Sequence, residues 1–199
     1  NAHNVYLACG TYTTNSNAAI LCSYDGAKTF TRVNVPFTMG GNENGRGNGE
    51  RMMVDPQNGN IIYIGTRQHG LWRSVDKGKS WKKVTTFPDV TEPFNPADRA
   101  SWFNRGCGII CVVYDSYDKA DKQGTKDIYA AVSLMGKNNL FVSHDYGESW
   151  TPIKGEPTKY RPTHMVLSND RQLFLTYGDN SGPYQMSDGA VWNFDISKN

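Results

Sequence analysis

The chain contains the stretch Ser74-Val-Asp-Lys-Gly-Lys-Ser-Trp81, and the same pattern returns at Ser143-His-Asp-Tyr-Gly-Glu-Ser-Trp150. A looser copy stands at Ser23-Tyr-Asp-Gly-Ala-Lys-Thr-Phe30. We call this stretch the Asp box. Its Ser and Asp side chains can bond the backbone N–H groups of a turn, and its Gly adopts backbone angles that other residues resist. Because the box recurs, it predicts a repeat fold and a structural role for its Asp and Ser residues.

Strand-like runs flank each copy of the box. Aligned on the box, the most complete unit has four strands, at 51–56, 61–66, 70–74 and 80–84. Four-stranded units with a fixed turn are typical of β-propeller blades. The sequence therefore predicts an all-β fold, with residues 1–199 forming one partial propeller domain. We expect blades near 1–35, 51–84, 107–153 and 163–196.

Composition supports the all-β prediction. The 199 residues include 20 Gly, 11 Tyr and 8 Phe, and 38% of the residues are hydrophobic, which is enough for one domain with a core. The formal charge is only +2, and the Lys and Arg residues are scattered. We therefore expect neither a nucleic-acid partner nor a membrane partner. We also expect no cofactor, because the sequence has neither a phosphate-binding Gly-Lys motif nor a metal-ligand cluster.

Four cysteines occur, at positions 9, 22, 107 and 111, without CxxC spacing. Because they lie in strand-like runs, we expect buried free thiols. A bridge between Cys9 and Cys22 across one hairpin is the alternative.

The box also sorts the loops between two faces of the predicted propeller. It is a turn between the third and fourth strands, so it lies on the face that carries the short connections. The opposite face carries long, dissimilar loops at 12–18, 36–50, 85–106, 155–163 and 178–189. Function in repeat scaffolds concentrates on such loops. We therefore expect the binding site on this second face.

The strongest candidate site is the segment 39–51, which we call the glycine-rich loop. Its glycines let backbone approach a ligand, and its polar side chains suit sugar hydroxyls. The candidate substrate-binding residues, here and on neighbouring loops, are Gly41, Asn42, Arg46, Gly47, Glu50, Arg51, His69, Trp102 and Tyr184. The alternatives are an ordered loop with an internal Arg–Glu pair, aromatic residues that anchor their loops, and a structural histidine. Glu50 is the only tempting carboxylate for acid or base chemistry, and it has no evident carboxylate partner.

Several stretches resemble glycoside hydrolase family 74, whose members are xyloglucanases and related endo-β-1,4-glucanases. The resemblance rests chiefly on Val5–Thr13, Met39–Arg51, Gly70–Ser74 and Gly182–Tyr184. It implies that the chain is about half of a seven-bladed N-terminal propeller in a secreted enzyme. It also implies an inverting mechanism with two aspartates that lie outside this chain. The implied partners are a polysaccharide, xyloglucan or β-glucan, and a second propeller of the same parent chain across a cleft.

Two other functions stay open on the sequence. The chain could come from a non-catalytic Asp-box propeller that binds glycan or protein. A sialidase is the third interpretation, against which the missing Arg-Ile-Pro motif counts.

Overall fold

The computed structural model describes residues 3–89, 107–117 and 122–198. Within these ranges the chain forms strands and one 3-10 helix, η1. The strands are β1 (Val5–Cys9), β2 (Ala19–Ser23), β3 (Thr31–Asn34), β4 (Met52–Val54), β5 (Ile62–Gly65), β6 (Leu71–Ser74), β7 (Lys82–Lys83), β8 (Ile109–Asp115), β9 (Asp127–Val132), β10 (Leu140–Ser143), β11 (Thr151–Pro152), β12 (Arg161–Leu167), β13 (Gln172–Gly178) and β14 (Gly189–Asp195). Helix η1 spans Ile196–Lys198. In the described ranges no helix has the length and apolar character to cross a membrane.

The strands form four antiparallel sheets in chain order: β1–β3, β4–β7, β8–β11 and β12–β14. The first three sheets lie within the predicted blade ranges, whereas the fourth begins at Arg161, two residues before the predicted range 163–196. The all-β prediction is confirmed. The outer strands are shorter than predicted. The fourth strand expected at 80–84 is reduced to Lys82–Lys83, because the box itself holds Ser80 and Trp81 in its turn.

Apolar clusters lie between successive sheets, so the sheets pack face to face. Between the first and second sheets the cluster includes Ile20, Ile62 and Trp81. Between the second and third it includes Tyr63, Ile109 and Phe141. Between the third and fourth it includes Ile110, Met165 and Leu175. Each fully buried aliphatic side chain contributes about 1.5–3 kcal/mol to folding. This arrangement of neighbouring sheets is that of propeller blades.

The hydrogen bonds of the Asp box confirm its structural role. Ser143 Oγ donates to Asp145 Oδ1 at 2.8 Å and accepts the Gly147 N–H at 2.8 Å. Asp145 also accepts the Ser149 N–H at 2.8 Å and the Ser149 hydroxyl at 2.6 Å. The copy at 74–81 makes the same bonds. Both oxygens of the Asp145 carboxylate thus accept hydrogen bonds within the turn that the box forms.

Two buried aspartates at the ends of first strands join neighbouring blades. Asp55 accepts N–H groups of its own turn and, from the third blade, the Thr125 hydroxyl at 2.7 Å. Asp115 takes the equivalent place one blade later and pairs with Arg171 of the fourth blade at 2.6 Å. Their repeated position indicates turn capping, and the structure adds a contact between blades.

All four cysteines are free. Cys9 lies opposite Ala19, whereas Cys22 lies opposite Tyr6 in the β1–β2 ladder. Because side chains alternate along a strand, the two thiols project from opposite faces of the sheet. The Cys9–Cys22 bridge therefore does not form.

Candidate functional site

The glycine-rich loop is hydrogen-bonded to loops of the first and fourth blades. Gly41 N donates to Gly10 O, after β1, at 3.1 Å, and Gly45 N donates to Gly182 O, after β13, at 2.7 Å. The loop leads directly into β4 of the second blade. Segments more than a hundred residues apart thus meet on one face, as the sorting of the loops predicted.

The third blade contacts the underside of the same loop. The Asn48 amide donates to Ser181 O at 3.0 Å and lies 3.4 Å from Cys107 Sγ. Gly49 has φ +55°, and a Cβ there would lie 2.1 Å from Ile110 O. Only glycine allows this approach. The backbone of β8 in the third blade is therefore in direct contact with the backbone of the loop. Asn48, Ser181 and Cys107 carry no local signal that separates them from ordinary loop residues, and the sequence did not single them out for this site.

A buried ion pair orders the loop. Arg67 Nε lies 3.8 Å from Glu43 Oε2, and both side chains are only 6% exposed. Glu43 Oε1 also accepts the N–H and the hydroxyl of Thr13, at 2.6 and 2.7 Å. The sequence left open an ordered loop with an internal Arg–Glu pair. The structure gives an ordered loop, but the arginine, Arg67, lies outside the loop and follows β5.

The two candidate glycines of the loop differ in their surroundings. A Cβ on Gly41 would lie 2.6 Å from Gly10 O, so this glycine serves the packing of two loops. Gly47 is exposed, and a Cβ there would meet nothing within 4 Å. Of the two, Gly47 is the one that leaves its surface open to a ligand.

Asn42 and Arg46 are exposed polar side chains of the same loop as Gly47. The Asn42 amide donates to the hydroxyl of Tyr12, an exposed aromatic residue that the sequence did not single out. The Arg46 guanidinium makes one long contact, 3.4 Å, with Glu43 O. Amide, guanidinium and aromatic ring together offer hydrogen-bond donors and a flat apolar face, the groups that a sugar ring requires.

Glu50 pairs with His164 of the fourth blade, Oε2 to Nε2, at 2.9 Å, and both side chains are about half exposed. The pair borders a cavity of about 330 Å³ between the first strands of the second, third and fourth blades. The apolar part of its wall includes Met53, Val113 and Met165. Glu50 is thus brought to a concave surface, with a histidine rather than a second carboxylate beside it.

Arg51 and His69 are directed into the protein. Arg51 Nη1 donates to Cys107 O at 2.8 Å and to Ile109 O at 2.6 Å. His69 Nε2 lies 3.1 Å from the Thr38 hydroxyl, and burial lowers the pKa of the imidazole. These contacts favour structural roles for both residues. The structure does not bring them to the exposed surface with Asn42.

Tyr184 is 63% exposed at the tip of the 179–188 loop. Asp179 closes this loop by accepting the hydroxyl of Ser187 at 2.6 Å. The Tyr160 hydroxyl donates to Asp188 at 2.6 Å and ties the neighbouring 155–163 loop to it. Trp102 lies outside the described residues and stays a prediction.

Charged clusters elsewhere do not suggest a metal centre. Within residues 3–89, 107–117 and 122–198, no group of three or more His, Cys, Asp or Glu side chains could hold a metal ion.

Comparison with known proteins shows which family the chain resembles in sequence and fold. A profile of the BNR-Asp box repeat matches residues 140–153, which include the second full box. Curated xyloglucanases from Paenibacillus sp and Hypocrea jecorina are 40% and 38% identical to the chain, each over 97% of it. The crystal structure of the GH74 xyloglucanase from Xanthomonas campestris matches 100% of the chain with a TM-score of 0.88 at 40% identity. The chain is a homologue of the GH74 glycoside hydrolases.

This GH74 homologue spans only part of its relatives. It covers 19% of the Paenibacillus protein, 24% of the Hypocrea protein and 28% of the Xanthomonas chain. The family resemblance seen in the sequence and the propeller fold are both confirmed.

Proposed function

We propose that the parent protein hydrolyses the β-1,4-glucan backbone of xyloglucan and that this segment binds the glucan chain on its loop face. The observation that carries the proposal is the glycine-rich loop, which bonds to loops of the first and fourth blades and leaves Asn42, Arg46 and Gly47 exposed. The relatives that share 38–40% identity with the chain are named xyloglucanases. Exposed loops on a rigid scaffold are where binding residues are expected.

The side chains on this face suit a sugar chain. The Asn42 amide and the Arg46 guanidinium donate to hydroxyl groups, and Gly47 lets a ring approach the backbone. Tyr12 and Tyr184 present aromatic faces on which the C–H side of a pyranose ring can stack. Glu50 and His164 offer an acceptor and a donor at the adjoining concave surface.

The acid and the base of hydrolysis are proposed to lie elsewhere in the parent. Inverting hydrolysis requires two carboxyl groups roughly 6.5–9.5 Å apart with a water between them. Of the two acidic residues in the glycine-rich loop, Glu43 is buried against Arg67 and Glu50 pairs with His164. In keeping with what the family resemblance implies, we propose that one catalytic aspartate lies in an earlier blade of this N-terminal propeller and the other in a second propeller. This segment then forms one wall of the cleft between them.

Secretion belongs to the same proposal. Xyloglucan is a polymer, and an enzyme that degrades a polymer too large to enter a cell meets it outside.

Binding of a xyloglucan oligosaccharide to the chain tests the proposal by isothermal titration calorimetry. Tyr184→Ala should weaken binding by about 1–3 kcal/mol, the loss typical of an aromatic stacking contact. Tyr117→Ala is the matched control, because Tyr117 is 70% exposed and follows β8 at the Asp-box face. We expect this control to bind like wild type, and we expect neither variant nor wild type to hydrolyse the ligand.

Equal losses in the two variants would contradict the placement of the sugar on the loop face. Wild-type protein that binds another glycan or a protein, but no xyloglucan, would favour a non-catalytic propeller instead.

A further inference from the structure

The loop between β13 and β14 carries Tyr184 near its tip and is closed at its base by one side chain. Asp179 accepts the Ser187 hydroxyl at 2.6 Å and the Ser187 N–H at 3.1 Å. The same carboxylate accepts the Asp188 N–H at 3.1 Å, and the Asp179 N–H donates to Asp188 O at 3.0 Å. One aspartate therefore holds the two ends of the 179–188 loop together.

The two halves of this loop are also fixed between the ends. Ser181 O accepts the Asn48 amide at 3.0 Å, and Gly182 O accepts the Gly45 N–H at 2.7 Å, so the first half is bonded to the glycine-rich loop. The Met186 side chain, in the second half, packs against Gly182, where a Cβ would lie 2.5 Å from its sulfur. The loop is thus anchored on both sides of its tip.

The ring of Tyr184 depends on this anchoring for its orientation. Tyr184 is 63% exposed, so little of its ring is packed against the protein. The orientation of such a ring is set chiefly by the backbone that carries it. A side chain that is ordered before a ligand arrives loses less conformational entropy when the ligand binds. Contacts that fix the loop therefore raise the affinity of the ring for a ligand that stacks on it.

We propose that Asp179 is a positioning residue for sugar binding, which holds Tyr184 in the orientation that stacks on a pyranose ring. The inference rests on the proposed function and assigns a role to a residue that reaches the ligand only through Tyr184. Hydrogen bonds from the Ser187 hydroxyl and N–H lower the pKa of the Asp179 carboxyl. The carboxylate is therefore an ionised acceptor at neutral pH.

A double-mutant cycle tests this role, with binding of a xyloglucan oligosaccharide to the 199-residue chain measured by isothermal titration calorimetry. Asp179→Ala should weaken binding about three- to tenfold, because the ligand must then order the loop. The double variant Asp179→Ala/Tyr184→Ala should bind as weakly as Tyr184→Ala alone, since the two residues act through one ring. Asp179→Asn should bind within about twofold of wild type, because its amide oxygen accepts the same donors.

Asp170→Ala is the matched control. Asp170 is an exposed aspartate that accepts the Ser168 hydroxyl in the turn before β13, at the opposite end of that strand. We expect this variant to bind like wild type. Hydrogen exchange at the Ser187 and Asp188 amides should be faster in Asp179→Ala and unchanged in Asp170→Ala.

Unchanged binding in Asp179→Ala, or a loss that adds in full to that of Tyr184→Ala, would overturn the inference and leave the proposed function intact. Equal losses in Asp179→Ala and Asp170→Ala would overturn it as well. A wild type that binds no xyloglucan oligosaccharide would overturn both the inference and the proposed function. If Asp179→Ala does not fold, Ser187→Ala takes its place in the cycle, with the same outcomes expected.

Discussion

At the scale of single residues, the glycine of each of the two full Asp boxes is also a contact between blades. Gly147 has φ +84°, and a Cβ there would lie 2.0 Å from the hydroxyl oxygen of Tyr63 in the preceding blade. Gly78 holds the equivalent place against Tyr6, where a Cβ would lie 3.3 Å from the ring. The tyrosines occupy matching positions in β1 and β5. Glycine is thus favoured at this position for two reasons: the positive φ of the turn, and the close contact with a tyrosine of the preceding blade.

Gly147→Ala should therefore destabilise the protein more than a left-handed backbone alone explains. We expect a loss of about 1–2 kcal/mol from the positive φ and about 1–3 kcal/mol more from the clash with Tyr63. Gly136→Ala is the control, because Gly136 has φ +70° and a Cβ there would meet nothing within 4 Å. Urea unfolding of the two variants measures the difference. Equal losses of stability in the two variants would contradict the prediction, because they would mean that the Tyr63 side chain moves aside at little energetic cost.

At the scale of elements, the Asp box is a turn whose stability depends on an ionised carboxylate. Hydrogen bonds from the Ser149 hydroxyl and the Ser149 N–H lower the pKa of Asp145 to about 2. An aspartate in an unfolded chain titrates near pH 4. Because the folded pKa is the lower one, the carboxylate stabilises the fold above about pH 4. That contribution is lost as the pH falls toward about 2.

Asp145→Asn removes this titration. We expect the variant to be less stable than wild type at pH 6 and the difference to shrink between about pH 4 and pH 2. The measurement is the free energy of unfolding of both proteins across that range. Parallel curves, with a constant difference, would mean that the charge of Asp145 does not contribute.

The glycine-rich loop is the second element whose order depends on a charge. Glu43→Gln should destabilise the protein by about 3–5 kcal/mol, because it leaves the buried Arg67 without its counter-charge. It should also speed hydrogen exchange at the Gly41 and Asn42 amides.

Glu148→Gln provides the matched control for this loop. The Glu148–Arg73 pair is shorter, 2.9 Å, but the Glu148 side chain is 66% exposed, so we expect a loss below about 1 kcal/mol. A larger loss in Glu148→Gln than in Glu43→Gln would contradict burial as the deciding factor.

At the scale of the whole molecule, the packed blades leave an apolar sheet face uncovered. On the fourth blade, Met165 and Leu175 face the third blade, while Val166, Phe174 and Val191 are exposed on the opposite side. Leu7 is similarly exposed on the first blade. Uncovered apolar sheet faces promote association. The isolated chain is therefore expected to self-associate.

Phe174→Lys should weaken this association several-fold in sedimentation velocity experiments, because it places a charge in the middle of the face. Val75→Lys is the control, since Val75 is an exposed apolar residue within an Asp box. A wild type that stays monomeric at high concentration would contradict the expectation.

The strands and boxes could be predicted because their signals are local. The box needs only a serine, an aspartate and a glycine within eight residues, and the strands β4, β5 and β6 lie within the predicted runs 51–56, 61–66 and 70–74. The candidate site was predicted less completely. Asn42 and Arg46 were proposed from the unusual glycine content of their loop, and the structure leaves both exposed. Tyr12, which accepts a hydrogen bond from Asn42, was not singled out, because nothing in its local sequence distinguishes an exposed tyrosine from a packed one.

The sequence by itself determined the all-β fold, the repeat and the face that carries the long loops, since each follows from short-range patterns of turns and alternating strands. Only the tertiary structure decided which polar groups of the glycine-rich loop face outward. The bond from Arg51 to Cys107 joins residues 56 positions apart, and that from Arg67 to Gly40 joins residues 27 apart. Such pairs form because the blades bring distant segments together, and no local pattern encodes them.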